Sequence, residues 1–110
     1  GISWNEIIVV GPTQMAVDMG YVANNGATVG LTLPLLAAFG SVIWIVGKGA
    51  GGWQAQQNAG QTIINGAVST TVGVGGTLTS SEPSATAYLL CITANTTWKV
   101  ISTTGNLISV

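Results

Sequence analysis

Short runs of β-branched and aromatic residues recur along this chain, and turn-forming residues separate them. Sixteen glycines are spread over 110 residues, and no sustained apolar period of 3.6 residues with helix caps accompanies them. This spacing is typical of strands joined by tight turns. The sequence therefore predicts an all-β fold, a compact antiparallel sandwich or barrel of about ten short strands. We expect residues 1–110 to form a single β-rich domain.

The strand pattern can be placed along the chain. The expected strands are residues 2–10, 14–19, 21–23, 28–33, 41–46, 53–57, 61–65, 77–79, 86–93, 98–102 and 107–110. Asn58-Ala59-Gly60 predicts a hairpin between two of them. Residues 35–39 suit a single helical turn, and residues 68–76 suit a loop. No internal repeat of fixed period is visible.

Two strands carry a clear facial pattern. In the first, Val29, Leu31 and Leu33 alternate and should face the same way. In residues 41–46 five apolar side chains are consecutive, whereas an antiparallel strand with one wet face would alternate. We expect this second strand either to be central in a sandwich or to pack against another subunit.

Charge is scarce, at 5% of residues against about 25% in an ordinary soluble domain. The cations are Lys48 and Lys99, and the anions are Glu6, Asp18 and Glu82. Because a monomer normally covers itself with charge, this chain must either rely on Ser, Thr, Asn, Gln and Gly at its surface or hide surface in an assembly. We expect an oligomer. A net charge of −1 cannot steer phosphate polyanions, so we expect no nucleic-acid partner.

The longest nearly apolar stretch, residues 35–46, is shorter than the roughly 20 residues that span a bilayer. We therefore expect no membrane insertion.

The sequence offers few residues that could support catalysis or bind a metal ion. There is no histidine, so no Ser-His-Asp or Cys-His arrangement and no His-based metal site can form. Cys91 is the only cysteine, and its apolar neighbours indicate a buried small hydrophobe. The three acids suit solvated or turn-capping positions. We expect no enzyme activity, no metal and no cofactor.

One segment suits a neutral ligand. A large aromatic stands beside several amides, and amides both donate to and accept from hydroxyl groups. The candidate glycan-binding residues are Trp53, Gln54, Gln56, Asn58 and Gln61. The alternative is that Trp53 fills the core while the glutamines solvate one strand face.

The other notable residues suit structural roles. Trp4, Trp44 and Trp98 lie in strand patterns, and we interpret them as core or interface residues. The glycines of residues 47–52 follow a strand, but no helix comes after them to receive a phosphate. They are interpreted as allowing close backbone approach between strands or subunits.

The order of several segments is similar to a known family. The segments are Trp4 and Ile7, Thr13-Gln14-Met15-Ala16-Val17, Gly20-Tyr21-Val22-Ala23-Asn24-Asn25, Leu31-Thr32-Leu33-Pro34, Gly47-Lys48-Gly49-Ala50-Gly51-Gly52-Trp53, Gln57-Asn58-Ala59-Gly60-Gln61-Thr62-Ile63, Leu90-Cys91, Ala94-Asn95-Thr96-Thr97-Trp98 and Gly105-Asn106-Leu107. Over almost the whole chain they resemble the C-terminal knob domains of bacteriophage tail-fibre-like proteins and of bacterial collagen-like or repeat-bearing surface adhesins. That resemblance implies a β-rich trimer that ends a fibre and contacts a host surface, often through glycans.

The resulting hypothesis is a non-enzymatic, homotrimeric fibre-tip or adhesin domain that binds cell-surface carbohydrate. It would be extracellular, on a phage virion fibre or a bacterial surface. The alternative is a purely structural trimerisation cap, or a filament or capsid subunit without a ligand. A third hypothesis is a monomeric lectin-like module.

Overall fold

The structure, a computed structural model, describes residues 2–110, which form twelve strands in two sheets. The seven-stranded sheet contains, in spatial order, β1 (Ser3–Ile7), β3 (Met19–Ala23), β5 (Val42–Gly47), β10 (Thr86–Thr93), β11 (Thr97–Thr104), β7 (Thr62–Asn65) and β8 (Val68–Ser69). The five-stranded sheet contains β12 (Leu107–Ser109), β9 (Thr77–Ser80), β6 (Trp53–Gln56), β4 (Val29–Thr32) and β2 (Thr13–Gln14). The prediction of an all-β fold is confirmed.

The first six strands wind into a parallel coil that alternates between the two sheets. β1, β3 and β5 pair in parallel in one sheet, and β2, β4 and β6 do so in the other. Each connection crosses to the opposite sheet. Successive strands of one sheet therefore run in the same direction. Pairing here is parallel where antiparallel pairing was expected, and both sheets are mixed.

The later strands pair mainly antiparallel. β10 pairs with both β5 and β11, and β9 pairs with both β6 and β12. A turn at Asn95 joins β10 to β11. The predicted hairpin across Asn58-Ala59-Gly60 is wrong, because β6 and β7 belong to different sheets and their connection crosses between them. Residues 35–39, where a helical turn was expected, are bends and turns without a helix.

The core lies between the sheets and follows the period-2 alternation of the strands. Val29, Leu31 and Leu33 are fully buried, as predicted from their spacing. In β5 the side chains of Ile43 and Ile45 enter the core, while the alternate positions are only half-buried on the outer face. β5 is therefore central in its sheet and apolar on both sides.

The glycine-rich connection from β5 to β6 packs against neighbouring backbone. A Cβ atom at Gly47 would lie 1.9 Å from the carbonyl oxygen of Pro83, and one at Gly51 would lie 2.1 Å from the backbone of Ala27. Neither position has room for a side chain. These glycines therefore allow close backbone approach, here to the connections that contain Pro83 and Ala27.

Two regions lie at the periphery of the molecule. The open edge consists of β1, β2 and the connecting residues 8–10, because β1 and β2 are each the last strand of their sheet. The loop end consists of residues 33–41, 57–61, 70–76 and 93–97, which hydrogen bonds tie together.

Candidate functional site

The structure divides the predicted glycan-binding residues between the core and the surface. Trp53 is fully buried, and its Nε1 donates a hydrogen bond of 2.9 Å to the carbonyl oxygen of Ala85. Its ring therefore has no face free for a sugar, which corrects the expectation that it stacks on one. Trp53 instead fills the core, as the alternative interpretation predicted.

Asn58 and Gln61 are also structural, because they hold the loop end together. The buried Gln61 amide donates to the carbonyl oxygens of Pro34 at 2.8 Å and Asn95 at 3.1 Å. Its Oε1 accepts from the backbone N–H of Asn58 at 2.8 Å. The Asn58 side chain donates to the carbonyl oxygen of Leu33 at 2.9 Å. These amides satisfy buried backbone groups and are not available to a ligand.

Gln54 and Gln56 project from the opposite face of β6 into a cleft on the outer surface of the five-stranded sheet. The cleft has a volume of about 290 Å³. It is lined by Val10, Gly11, Pro12, Thr28, Gly30, Gln54, Gln56 and Thr79. None of these side chains is charged, so the cleft suits a small neutral ligand.

The amides of the cleft form a chain of hydrogen bonds across the strands. Gln56 Nε2 donates to Gln54 Oε1 at 3.2 Å, and Gln54 Nε2 donates to Thr79 Oγ1 at 3.2 Å. Each amide nitrogen carries two hydrogens and each bond uses one of them, so donors are left over for a ligand. Gly30 forms the floor, since a Cβ there would come within 3.0 Å of Gln56 Nε2.

A row of aromatic side chains crosses the outer face of the seven-stranded sheet. Trp44 of β5 and Tyr88 of β10 are register partners, and their rings stack with centroids 3.9 Å apart. Trp4 of β1 pairs with Gly20 of β3, which in turn pairs with Trp44. We call Trp4, Trp44 and Tyr88 the aromatic row. Trp4, Trp44 and Trp98 were interpreted as core or interface residues. Trp98 is a core residue, since it is completely buried, whereas Trp4 is 51% exposed and does not belong to the core.

A charged cluster lies beside the row on the same face. Glu6 follows Trp4 by two residues on β1, and alternate residues of a strand share a face. Its Oε2 accepts 3.0 Å hydrogen bonds from Lys48 Nζ and Asn24 Nδ2. The Lys48 bond, followed by that from Asn24, lowers the pKa of the Glu6 carboxyl group. Glu6 is therefore ionised at neutral pH.

Large apolar side chains are exposed at both named regions. At the loop end Leu36 and Phe39 are each 75% exposed and Val74 is 73% exposed. At the open edge Ile8 and Val9 are 63% and 58% exposed. The loop end contains no charged residue, and the open edge contains one, Glu6.

No family model matches the chain, and no curated protein matches it. Among residues 2–110, no group of three or more His, Cys, Asp or Glu side chains is placed to hold a metal ion. The described part of the chain also has no helix long and apolar enough to cross a membrane.

Proposed function

We propose that this chain is a non-enzymatic display module that associates with copies of itself, as a homotrimer at the tip of a fibre, and binds neutral carbohydrate. One observation carries the self-association. Large apolar side chains such as Ile8 and Val9 are 63% and 58% exposed at the open edge, in a chain with only two cations and three anions. Apolar surface of this kind usually marks an interface.

Light scattering coupled to size exclusion tests the association. We expect a species of about three times the chain mass of 11.1 kDa at micromolar concentration, since a closed symmetric assembly hides apolar surface. A stable 11.1 kDa monomer would contradict the proposal. A closed assembly of another size would contradict only the threefold symmetry.

The uncharged cleft supports the carbohydrate part of the proposal. Gln54 and Gln56 offer both donors and acceptors there, and Gly30 keeps the floor open. Replacing Gly30 with Ala should narrow the cleft, and the double replacement Gln54→Ala and Gln56→Ala should remove its amides. Both variants should lose the glycans that the unmodified protein captures on a neutral-glycan array.

Asn106→Ala is the matched control, because Asn106 is an exposed amide outside the cleft lining. Its binding should equal that of the unmodified protein. Glycan capture that is unchanged in the Gly30 and double-Gln variants would exclude the cleft.

A ligand-free trimerisation cap is the second candidate. The observation that favours it is the burial of Trp53, which removes the aromatic from the predicted glycan site. The two candidates differ in one measurement, since a cap forms the trimer but captures no glycan.

A further inference from the structure

We propose a second carbohydrate site on the outer face of the seven-stranded sheet, in which a pyranose ring stacks on Trp4 and its hydroxyl groups bind Glu6, Lys48 and Asn24. This inference rests on the proposed carbohydrate-binding function and adds a site separate from the cleft. Its residues come from β1 and from the segments that follow β3 and β5.

Trp4 presents one flat ring face to solvent. A Cβ atom at Gly20 would lie 2.5 to 2.7 Å from three adjacent atoms of the Trp4 benzo ring. A point almost equidistant from three adjacent ring atoms lies under the face of the ring, because a point at its edge would be much nearer to one of them. One face of the indole therefore covers Gly20, and the opposite face accounts for much of the 51% exposure of Trp4.

The polar groups stand at a suitable distance from this ring face. Glu6 lies two residues beyond Trp4 on the same side of β1, which is about 6 to 7 Å along a strand. A pyranose ring with its substituents spans a similar length. In the part of the chain that the structure describes, both protein hydrogen bonds to the Glu6 carboxylate go to Oε2. Oε1 can therefore accept from a sugar hydroxyl, and an ionised acceptor makes a strong bond.

The charges select a neutral ligand that is rich in hydroxyl groups. Glu6 repels anions and Lys48 repels cations, while together with Asn24 they offer acceptors and donors within 3.0 Å of one another. The negative face of the indole attracts the polarised C–H groups of a sugar face. A bare apolar partner would instead desolvate the exposed Lys48–Glu6 pair, which is costly.

Nuclear magnetic resonance on the intact protein tests this site through the indole N–H signals of the four tryptophans. The probes are methyl β-D-galactopyranoside, methyl β-D-glucopyranoside and methyl α-D-mannopyranoside. We expect at least one of them to shift the Trp4 signal saturably, and the buried Trp53 and Trp98 signals to stay fixed. The Trp4→Phe variant assigns the Trp4 signal.

Variants separate the stacking from the hydrogen bonding. Trp4→Ala should weaken binding roughly fivefold to tenfold, as expected for the loss of a stacked ring. Glu6→Gln should also weaken it, because a charged acceptor becomes neutral. Phe39→Ala is the control, since this exposed aromatic lies at the loop end, and it should bind like the unmodified protein.

The remaining outcomes overturn the proposal in distinguishable ways. If the sugars move the Gln54 and Gln56 amide signals but not the Trp4 signal, this second site is excluded and the cleft stands. If they move no signal, both carbohydrate sites are excluded. If Trp4 in the assembled protein is shielded from acrylamide quenching, the ring is covered by a second copy and this site is excluded. Light scattering measures self-association independently of these three outcomes.

Discussion

At the scale of single residues, identical side chains have different roles according to which face of a strand they occupy. Trp53 and Trp98 are buried, Trp44 is half-buried in the aromatic row, and Trp4 is 51% exposed. Period-2 alternation separates Trp53, which points inward, from Gln54 and Gln56, which point outward. This alternation is visible in the sequence and could have shown that Trp53 lies on the other face of β6 from the two glutamines.

The two buried tryptophans should respond differently when each is replaced by Phe. Trp53 Nε1 donates to the carbonyl oxygen of Ala85, whereas Trp98 Nε1 is buried with no partner among the described residues. Trp53→Phe loses a hydrogen bond, and Trp98→Phe removes an unsatisfied donor. Trp53→Phe should therefore lower the free energy of unfolding by about 1 to 2 kcal/mol more than Trp98→Phe does. Urea denaturation measures both, and equal losses would contradict this.

Glu6 gives a pH-dependent prediction. Hydrogen bonds from Lys48 and Asn24 lower the pKa of its carboxyl group in the folded protein below the ordinary 4.5. The stabilisation from these bonds is thus present above the unfolded-state pKa and is lost as the pH falls through the lowered folded-state pKa. Lys48→Met should raise the Glu6 pKa towards its ordinary value, as followed by carboxyl ¹³C titration.

Lys99→Met serves as the matched control for that titration. It removes the chain's other cation without touching Glu6, so the Glu6 pKa should stay where it is. A Glu6 pKa that is unchanged in the Lys48 variant would show that the ion pair does not form in solution.

At the scale of elements, local patterns predicted the strands well but not their partners. Alternation located β4 closely, and residues 86–93 were predicted with the bounds of β10. The turn-forming residues Asn58-Ala59-Gly60 are compatible with either a hairpin or a connection that crosses between the sheets. The choice between them depends on how the flanking strands pack, with Trp53 and Ile63 both in the core. Register and sheet order depend on distant residues and are not visible locally.

The amide network of the loop end predicts a large effect at one buried position. Gln61→Leu keeps the approximate volume but leaves the backbone groups of Pro34, Asn95 and Asn58 without their partner. We expect the free energy of unfolding to fall by roughly 3 kcal/mol. The midpoint and slope of urea denaturation measure this change.

Gln54→Leu is the surface control for that experiment, because Gln54 lies on the outer face of β6. It should change stability by no more than about 0.5 kcal/mol. A Gln61→Leu variant as stable as this control would show that the loops do not depend on the network.

At the scale of the whole molecule, the apolar surface is concentrated at two regions that differ in what they offer a second copy. The open edge combines the exposed Ile8 and Val9 with the unpaired sides of β1 and β2. The loop end offers Leu36 and Phe39 on loops. An edge strand adds backbone hydrogen bonds to apolar burial, so the open edge is the stronger candidate for self-association.

This difference predicts the outcome of adding a single charge. Val9→Lys should weaken self-association, since an ammonium group would have to be buried at the edge. Phe39→Lys, the matched change at the loop end, should leave the assembly intact. Light scattering over a dilution series compares them, and dissociation in the Phe39 variant alone would place the interface at the loops.

The parallel coil also has a consequence for how such a chain can change over generations. Ser3 pairs with Met19, 16 residues later, and Met19 pairs with Ile43, 24 residues later. The connections therefore absorb differences in length while the paired strands keep their register, which is why no fixed period is visible in the sequence. Within the coil each strand pairs with the strand one turn before or after it, so a change of length in one connection leaves the register of these pairs unchanged.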